Sequence, residues 1–481
     1  MTEAFEQIGV ANASPTKAFF VNMLTRDIEL QDAILDLLDN CLDGIVRGSI
    51  DETKDRPFEG YFANITMTKD HFVIEDNCGG IPFDVGEKSA FALGRPPRTP
   101  ETHTSGRTAT IGMYGIGMKR AIFKMGTEAL VESHHDTPFY VEFTSEWMSD
   151  EAWSDLPMYK LHSDQFEKGK TRIEVVTLNQ DTADAFSKST WIEEFRNTVR
   201  RHYALIIEKG FSVSIFSNDR HSDPHNPLSR QEFKLLHSDN SSMPGRIEPF
   251  IYIGEVDGVR IEVYAGLYRK LLDEEEAQQE EMTRGTADDA GWTVACNDRV
   301  VIWKDKSRLT GWGETGIPNY HSQFIAITGI VLLYSTEPKK LPLTTTKRGV
   351  DASTNIYSTV KDLMKRATKQ LTSFTNKWKG FPREVDSIYA ASDYISLKAI
   401  RALPETVKLS TVRSSSGMKM YEPKYPLPEQ EKTSRRVSFV ALKTDVEELG
   451  KQYFGDPTAK PGLVGEQAFA VALRLARGDT Q

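Results

Sequence analysis

The sequence predicts an α/β protein built as two successive α/β domains and a smaller C-terminal region. Three observations carry this. Strand-like and helix-like runs alternate through residues 1–220, a polar Asp/Ser/Asn/Pro-rich stretch follows at 218–245, and a second alternation fills 246–378. A chain of 481 residues has room for more than one core of ordinary size. Its 39% hydrophobic and 27% charged residues are those of a globular protein.

Residues 1–25 form an N-terminal arm. Ile28, Ile34, Leu35, Leu38, Leu42 and Ile45 then recur at helical spacing, and Gly44 and Gly48 bring the pattern to a stop. Two strand-like runs, Tyr61–Met67 and Phe72–Glu75, come next, and the second runs into the turn Asp76-Asn77-Cys78-Gly79-Gly80. Residues 94–112 are rich in Pro, Thr, Gly and Arg and read as a long loop, of the kind that serves as a lid. A helix is expected at Met118–Met125, followed by strands at Glu128–Glu132, Phe139–Phe143 and Thr171–Leu178. A mixed-charge helix, Thr190–Lys209, and a strand, Phe211–Phe216, complete the first domain.

The second region shows strands at Ile251–Val256, Val259–Ala265, Thr293–Ala295 and Phe324–Leu333, then a long helix at Asn355–Trp378. The acidic run Asp273–Glu281 reads as a solvated loop or helix end. Residues 380–481 are mixed, with a terminal helix expected at Gly465–Arg477.

Composition excludes several classes. The net charge of −10 argues against a surface coated with nucleic acid, although it leaves room for a local basic groove. No apolar run approaches the ~20 residues of a membrane span, and the start, MTEAFEQIGV, lacks the order of a secretory signal. Cys41, Cys78 and Cys296 lie far apart and show no metal-ligand spacing. They read as reduced thiols, so a cytoplasmic protein with no membrane partner is expected.

Three motifs carry chemistry. In the helix segment DLLDNCLDG, Asp36 and Asn40 are four apart and share a face, about 5–6 Å from each other, which Asp43 continues. The Asn40 amide oxygen suits Mg2+, and the Asp36 carboxylate could deprotonate an attacking water. By themselves these residues ordinarily describe a solvated helix face. In VIEDNCGGIPF, a strand ends in Asp76, and glycines allow backbone to approach a flat ligand. A carboxylate there could accept from an exocyclic amine; a simple hairpin turn is the alternative. In IGMYGIGMKRAIF, Gly112, Gly115 and Gly117 open a helix containing Lys119, which offers N–H groups to phosphates. This is neither a Walker A loop nor a dinucleotide fingerprint, and a structural loop would read alike.

Order and spacing together resemble the GHKL superfamily, which includes type II topoisomerases, MutL-type mismatch-repair proteins, MORC proteins, heat-shock chaperones and histidine kinases. The resemblance covers about residues 20–180 and implies a Bergerat ATP-binding fold that takes ATP and Mg2+. Asp36 then falls on the catalytic acid and Asn40 on the magnesium-binding position. Asp76 matches the adenine-reading Asp, and Gly80 a glycine of the same motif. Gly112, Gly115 and Gly117 match the lid, and Thr171, in GKTRIEVV, the adenine-site Thr. Asp43, Gly44, Ile81, Ile116, Met118 and Lys119 lie in the same motifs and are expected around the nucleotide. Two departures stand out: Asp36 replaces the usual Glu, one methylene farther from the water, and Cys78 replaces a glycine.

The second region is similar to the transducer domain of the gyrase, MutL and MORC-like branches. Its segment KKLPLTTTKRGVD resembles the loop whose lysine reaches the γ-phosphate, which makes Lys347 the expected sensor. The phrase GWTVACNDRVVI resembles the MutL and MORC strand that carries Asn-x-Arg. The resemblance implies a nucleotide-gated homodimeric clamp acting on DNA or a partner protein, in DNA handling or anti-phage defence. A chaperone-like or nucleotide-sensing scaffold with little turnover is the alternative. A histidine kinase is disfavoured, because the first histidine, His71, follows Asn40 instead of preceding it.

Overall fold

The computed structural model describes residues 16–48, 50–51, 54–92, 116–149, 153–162, 166–217, 227–238, 246–271, 289–344, 347–379, 381, 389, 392–405, 410–411, 418–428 and 437–478. The chain divides into two compact units, Met1–Pro428 and Glu429–Gln481. The boundary expected at residue 380 therefore falls later. Residues beyond it stay in the first unit because they add strands to its sheets.

The first unit holds two seven-stranded mixed sheets. Its N-terminal half begins with helices α1 (Lys17–Arg26) and α2 (Leu30–Arg47), then strands β1 (Phe62–Met67) and β2 (Phe72–Asp76). Helix α3 (Gly117–Met125) leads into β3 (Gly126–Ser133), β4 (Phe139–Phe143), β5 (Met158–Lys160) and β6 (Thr171–Leu178). Helices α4 (Ser189–His202) and α5 (Ala204–Glu208) precede β7 (Ser212–Ser217). The strand order is β5-β4-β3-β6-β2-β1-β7. Neighbours are antiparallel except β1 and β7.

Period-two burial decides where this sheet's polar residues go. Phe72, Ile74 and Asp76 share the buried face of β2, as Thr171, Ile173 and Val175 do on β6. Asp76 and Thr171 are register partners, so both end up under the helices. Ile34, Leu35, Leu38, Ile122 and Phe123 of α2 and α3 pack in the same core.

A two-stranded ribbon pairs β8 (Lys234–Ser238) with a late strand, Ser392–Ser396. The second sheet comprises β9 (Phe250–Val256), β10 (Val259–Leu267), β11 (Gly291–Cys296), β12 (Arg299–Asp305) and β13 (Ile327–Tyr334), with two short strands, Lys419–Tyr421 and Ser410–Thr411, added beyond β9. Helix α6 (Asn355–Trp378) packs on it through Tyr357, Val360, Met364, Ala367 and Leu371.

Three elements depart from expectation. The helix expected at Thr190–Lys209 breaks between His202 and Ala204, at Tyr203, whose hydroxyl oxygen lies 3.0 Å from the Leu35 carbonyl oxygen. The phrase GWTVACNDRVVI is a hairpin and not one strand, because Asn297 and Asp298 take φ of 46° and 66° and turn the chain. The strand expected from Phe324 starts at Ile327, after a short 3-10 turn at Ser322–Phe324.

In the second unit, α7 (Lys443–Phe454) and α8 (Pro461–Arg477) pack against each other. Gly455, at φ 70°, closes α7, and Pro461 opens α8 four residues before the start read from the sequence. Among the described residues no helix is long and apolar enough to cross a membrane. The acidic run Asp273–Glu281 and nearly all of the 94–117 loop lie outside the described residues.

Candidate functional site

Helix α2 organises the site. Asp32, Asp36, Asp39 and Asp43 recur at spacings of four, three and four, so they form one stripe, and all four are buried. Uncompensated buried carboxylates cost several kcal/mol each, and four cations answer those of Asp32, Asp36 and Asp39. Arg348 pairs with Asp32, Arg120 with Asp36 and Arg299 with Asp39. Lys347 spans two of the acids, its Nζ 3.2 Å from Asp36 Oδ1 and 2.8 Å from Asp39 Oδ2.

These cations come from distant segments. Arg120 is on α3, Arg299 opens β12, and Lys347 and Arg348 precede α6. Lys347 is 308 residues from Asp39 in sequence. It sits at φ 55°, a left-handed conformation costing a lysine about 1–2 kcal/mol. A backbone bond from its N–H to the Thr344 carbonyl, 3.0 Å, and its two ion pairs hold it there.

The charges shift accordingly. Burial alone would push the Asp39 carboxyl up, but Lys347 and Arg299 hold it below the usual carboxylate range. Burial would likewise lower the Lys347 ammonium, and the carboxylates of Asp39 and Asp36 hold it above the usual lysine range. For Asp32 burial wins over Arg348, raising it to about 6. Asp39 is completed by the Tyr203 hydroxyl, which donates at 2.6 Å, while the Arg299 guanidinium lies 4.3 Å from the Tyr203 ring centroid. His202 donates from Nδ1 to the Val300 carbonyl at 2.6 Å; burial and Arg299 push it down to about 3, so the ring is neutral. The tip of the β11–β12 hairpin is thereby fastened to α2 and α4.

Beside this cluster lies a cavity of about 200 Å3. Asp36, Asn40 and Gly44 line it from successive turns of α2, and the exposed Asn40 amide faces it. Asp36 and Gly44 are eight residues apart, about 12 Å along the helix axis. At the Gly44 end is Asp76. Its carboxylate accepts from the Cys78 N–H at 2.8 Å and from the Cys41 thiol at 3.4 Å. Burial pushes Asp76 up to about 6, against those hydrogen bonds. Gly44 is needed for this approach, because a Cβ there would lie 2.5 Å from the Cys78 carbonyl oxygen. Gly80, at φ 72°, passes equally close to the His134 carbonyl. Ile81 N–H donates to Ser133 Oγ at 2.7 Å, and Ser133 Oγ meets Thr171 Oγ1 at 3.1 Å, which closes that wall.

At the Asp36 end, Ile116, Gly117, Met118 and Lys119 line the cavity at the start of α3, with Lys347 opposite. A Cβ on Gly117 would come within 3.2 Å of Asp36 Cβ. Lys119 lines the cavity but spends a hydrogen bond on the Ala90 carbonyl, 2.8 Å away. Two expected residues, Gly112 and Gly115, lie outside the described residues. Asp43 is buried in the acidic stripe and does not line the cavity. At 3.6 residues per turn Asp43 stays on the side of Asp36 and Asp39, while the four-residue row Asp36–Asn40–Gly44 turns towards the cavity.

No protein-family model matches this chain, and no curated protein matches it either.

Sequence motifs leave Arg120, Arg348 and Tyr203 unmarked, mark Arg299 only as the arginine of the Asn-x-Arg phrase, and make Asp39 the alternative acid should Asp36 prove dispensable. One signal was available. Aspartates at four-three-four spacing in an otherwise apolar helix make a stripe that must be either solvated or paired, and the apolar residues on both sides preclude solvation. Arg47, which also lines the cavity near Asp76, gave no such signal.

Proposed function

We propose that this cavity binds Mg·ATP and that the chain is a GHKL-type ATPase, with a Bergerat-type first domain and a transducer-like second one. The observation that carries the reading is the meeting of Lys347 with Asp36 at a cavity whose far end holds Asp76. The donor set suits the nucleotide. A buried carboxylate and Thr171 face one end, as an aminopurine requires. Lys119, Arg120 and Lys347 gather at the other end, about the length of a ribose and phosphate chain away.

On this reading Asn40, midway along α2, would hold Mg2+ through its amide oxygen, with phosphates and waters as further ligands. Bound there, the ion would neutralise phosphate charge. The chain's own part is a change of partners. Both oxygens of Asp36 are occupied, one by Lys347 and one by Arg120. Phosphate oxygens entering the cavity compete for both cations. Their withdrawal frees Asp36 to take a proton from the water that attacks the γ-phosphorus, yielding ADP and phosphate. Because Lys347 belongs to the second half, the triphosphate state differs from the diphosphate state in how the halves are joined, which gives a nucleotide-dependent homodimeric clamp its differential contact. DNA or a partner protein is its proposed client.

A second reading, a nucleotide-sensing scaffold with little turnover, is favoured by the same occupied Asp36 and its short side chain. Single-turnover hydrolysis decides between them. The ATPase reading expects turnover that Asp36→Ala lowers by roughly 10²–10⁴ while ATP affinity stays within a few-fold. Tight ATP binding without turnover in the parent protein would establish the scaffold instead.

A further inference from the structure

A second cavity, also about 200 Å3, lies where α5 and the segment 231–233 meet β11, β12 and β13, and it shares no lining residue with the first. Lys304 is on its wall. The lysine sits in β12 at φ 48°, a conformation that a side chain adopts in a strand only when its surroundings impose it. The β11–β12 pairing is irregular on either side of Val294, near the facing residue Thr293. The Lys304 amine donates to Thr328 Oγ1 at 3.0 Å and lies 5.4 Å and 5.6 Å from the ring centroids of Phe233 and Trp303.

Thus a strained backbone holds the amine at the wall of a cavity that also presents the Phe233 and Trp303 rings and the Thr293 hydroxyl. Two charged groups act on it: Asp289, which favours the ammonium, and Lys306, which opposes it. Glu232 faces the same cavity. Burial outweighs these and pushes the amine down to about 8.

We propose that Lys304 is a nucleophilic lysine and that this cavity takes a small planar aldehyde, held as an imine. The charges select the class of ligand. Glu232 and Asp289 disfavour an anion, and the lysine disfavours a cation, so a neutral carbonyl compound remains. The aromatic walls favour a flat one. In the reaction the Nζ lone pair attacks the carbonyl carbon and one N–H proton passes to the oxygen. The hydroxyl then leaves as water with the second proton, and a C=N bond remains. Aldehyde and amine give imine and water, and no oxidant is consumed.

At pH 8 about half of such an amine is neutral, against about 0.4% of an ordinary lysine. Lower basicity also lowers intrinsic nucleophilicity, by the trade-off known for thiolates, so a net advantage of about tenfold is expected. The test uses the full chain with benzaldehyde and cyanoborohydride, which fixes the imine as a benzyl amine, followed by peptide mass mapping from pH 6.5 to 9.5. Lys304 should be labelled about tenfold faster than the exposed Lys398 at pH 7.5–8. The ratio of the Lys304 rate to the Lys398 rate should shrink as pH rises above 8, because the Lys304 amine is by then already neutral. Lys304→Arg should lose this fast label and no other. Labelling of Lys304 at or below the rate of Lys398 across the range overturns the proposal, and that outcome needs no variant to fold.

Discussion

Replacing Lys347 by Ala tests the link between the two halves of the first unit. The lysine answers two buried carboxylates, Asp36 at 3.2 Å and Asp39 at 2.8 Å. Removing one partner of a buried pair ordinarily costs 3–5 kcal/mol, roughly, because a charge is left uncompensated. Here each acid keeps another donor, Arg120 on Asp36, with Arg299 and Tyr203 on Asp39. The expected loss of stability is therefore smaller, about 1–3 kcal/mol. The effect on ligands is selective. Lysine to γ-phosphate would be a charge-assisted contact of about 1.5–3 kcal/mol, but it is formed by giving up Asp36, and the net gain is nearer 1.4 kcal/mol, or about tenfold. ADP, with no γ-phosphate, should bind parent and variant alike. A non-hydrolysable ATP analogue should bind the variant about tenfold more weakly, and light scattering should show that the variant fails to dimerise with it. Calorimetric titration of both ligands into both proteins measures the ratio. An unchanged ratio of analogue to ADP affinity refutes the reasoning, whatever the variant's stability.

Three further outcomes are expected. Asp76→Asn should weaken ATP binding by about 1–3 kcal/mol, since it offers the base an N–H where an acceptor is needed. In the parent protein the same acceptor should titrate. Asp76 is raised to about 6, so it is ionised above that pH, and ATP affinity should be full at pH 7–8 and decline as pH falls through 6; titrations at pH 5, 6 and 7.5 should show a slope that Asp76→Asn flattens. Gly44→Ala should destabilise the protein despite alanine's helix preference of about 0.5–1 kcal/mol. The new Cβ would lie 2.5 Å from the Cys78 carbonyl oxygen, and shifting backbone to admit it costs about 1–3 kcal/mol. A thermal melt that rises for this variant would show that the approach of α2 to the β2 turn is looser than described.

Much of the architecture was legible before any coordinates. Helix α2, strands β1, β2, β4 and β6, and helix α6 follow from periodicity, because a face that must be buried writes itself into the spacing of apolar residues. The break at Tyr203 was not legible. No Gly or Pro marks it, and it follows from a hydroxyl that reaches α2 across the core. The hairpin at Asn297-Asp298 was signalled by its residue types, and the strand read at Thr293–Ala295 ends before it, but the likeness of the whole phrase to a single family strand hid the return strand.

The division within the site has the same origin. Asp36, Asn40, Gly44, Asp76 and Gly117 could be singled out because each belongs to a local motif, where a few consecutive residues determine a turn or a helix face. Which cation answers which acid is a different kind of fact. The partners of Asp39 are Tyr203, Arg299 and Lys347, separated from it by 164, 260 and 308 residues. No spacing rule relates such positions. Their pairing is decided when burial strips water from the aspartate stripe and leaves each carboxylate to whichever distant donor the two sheets bring within reach.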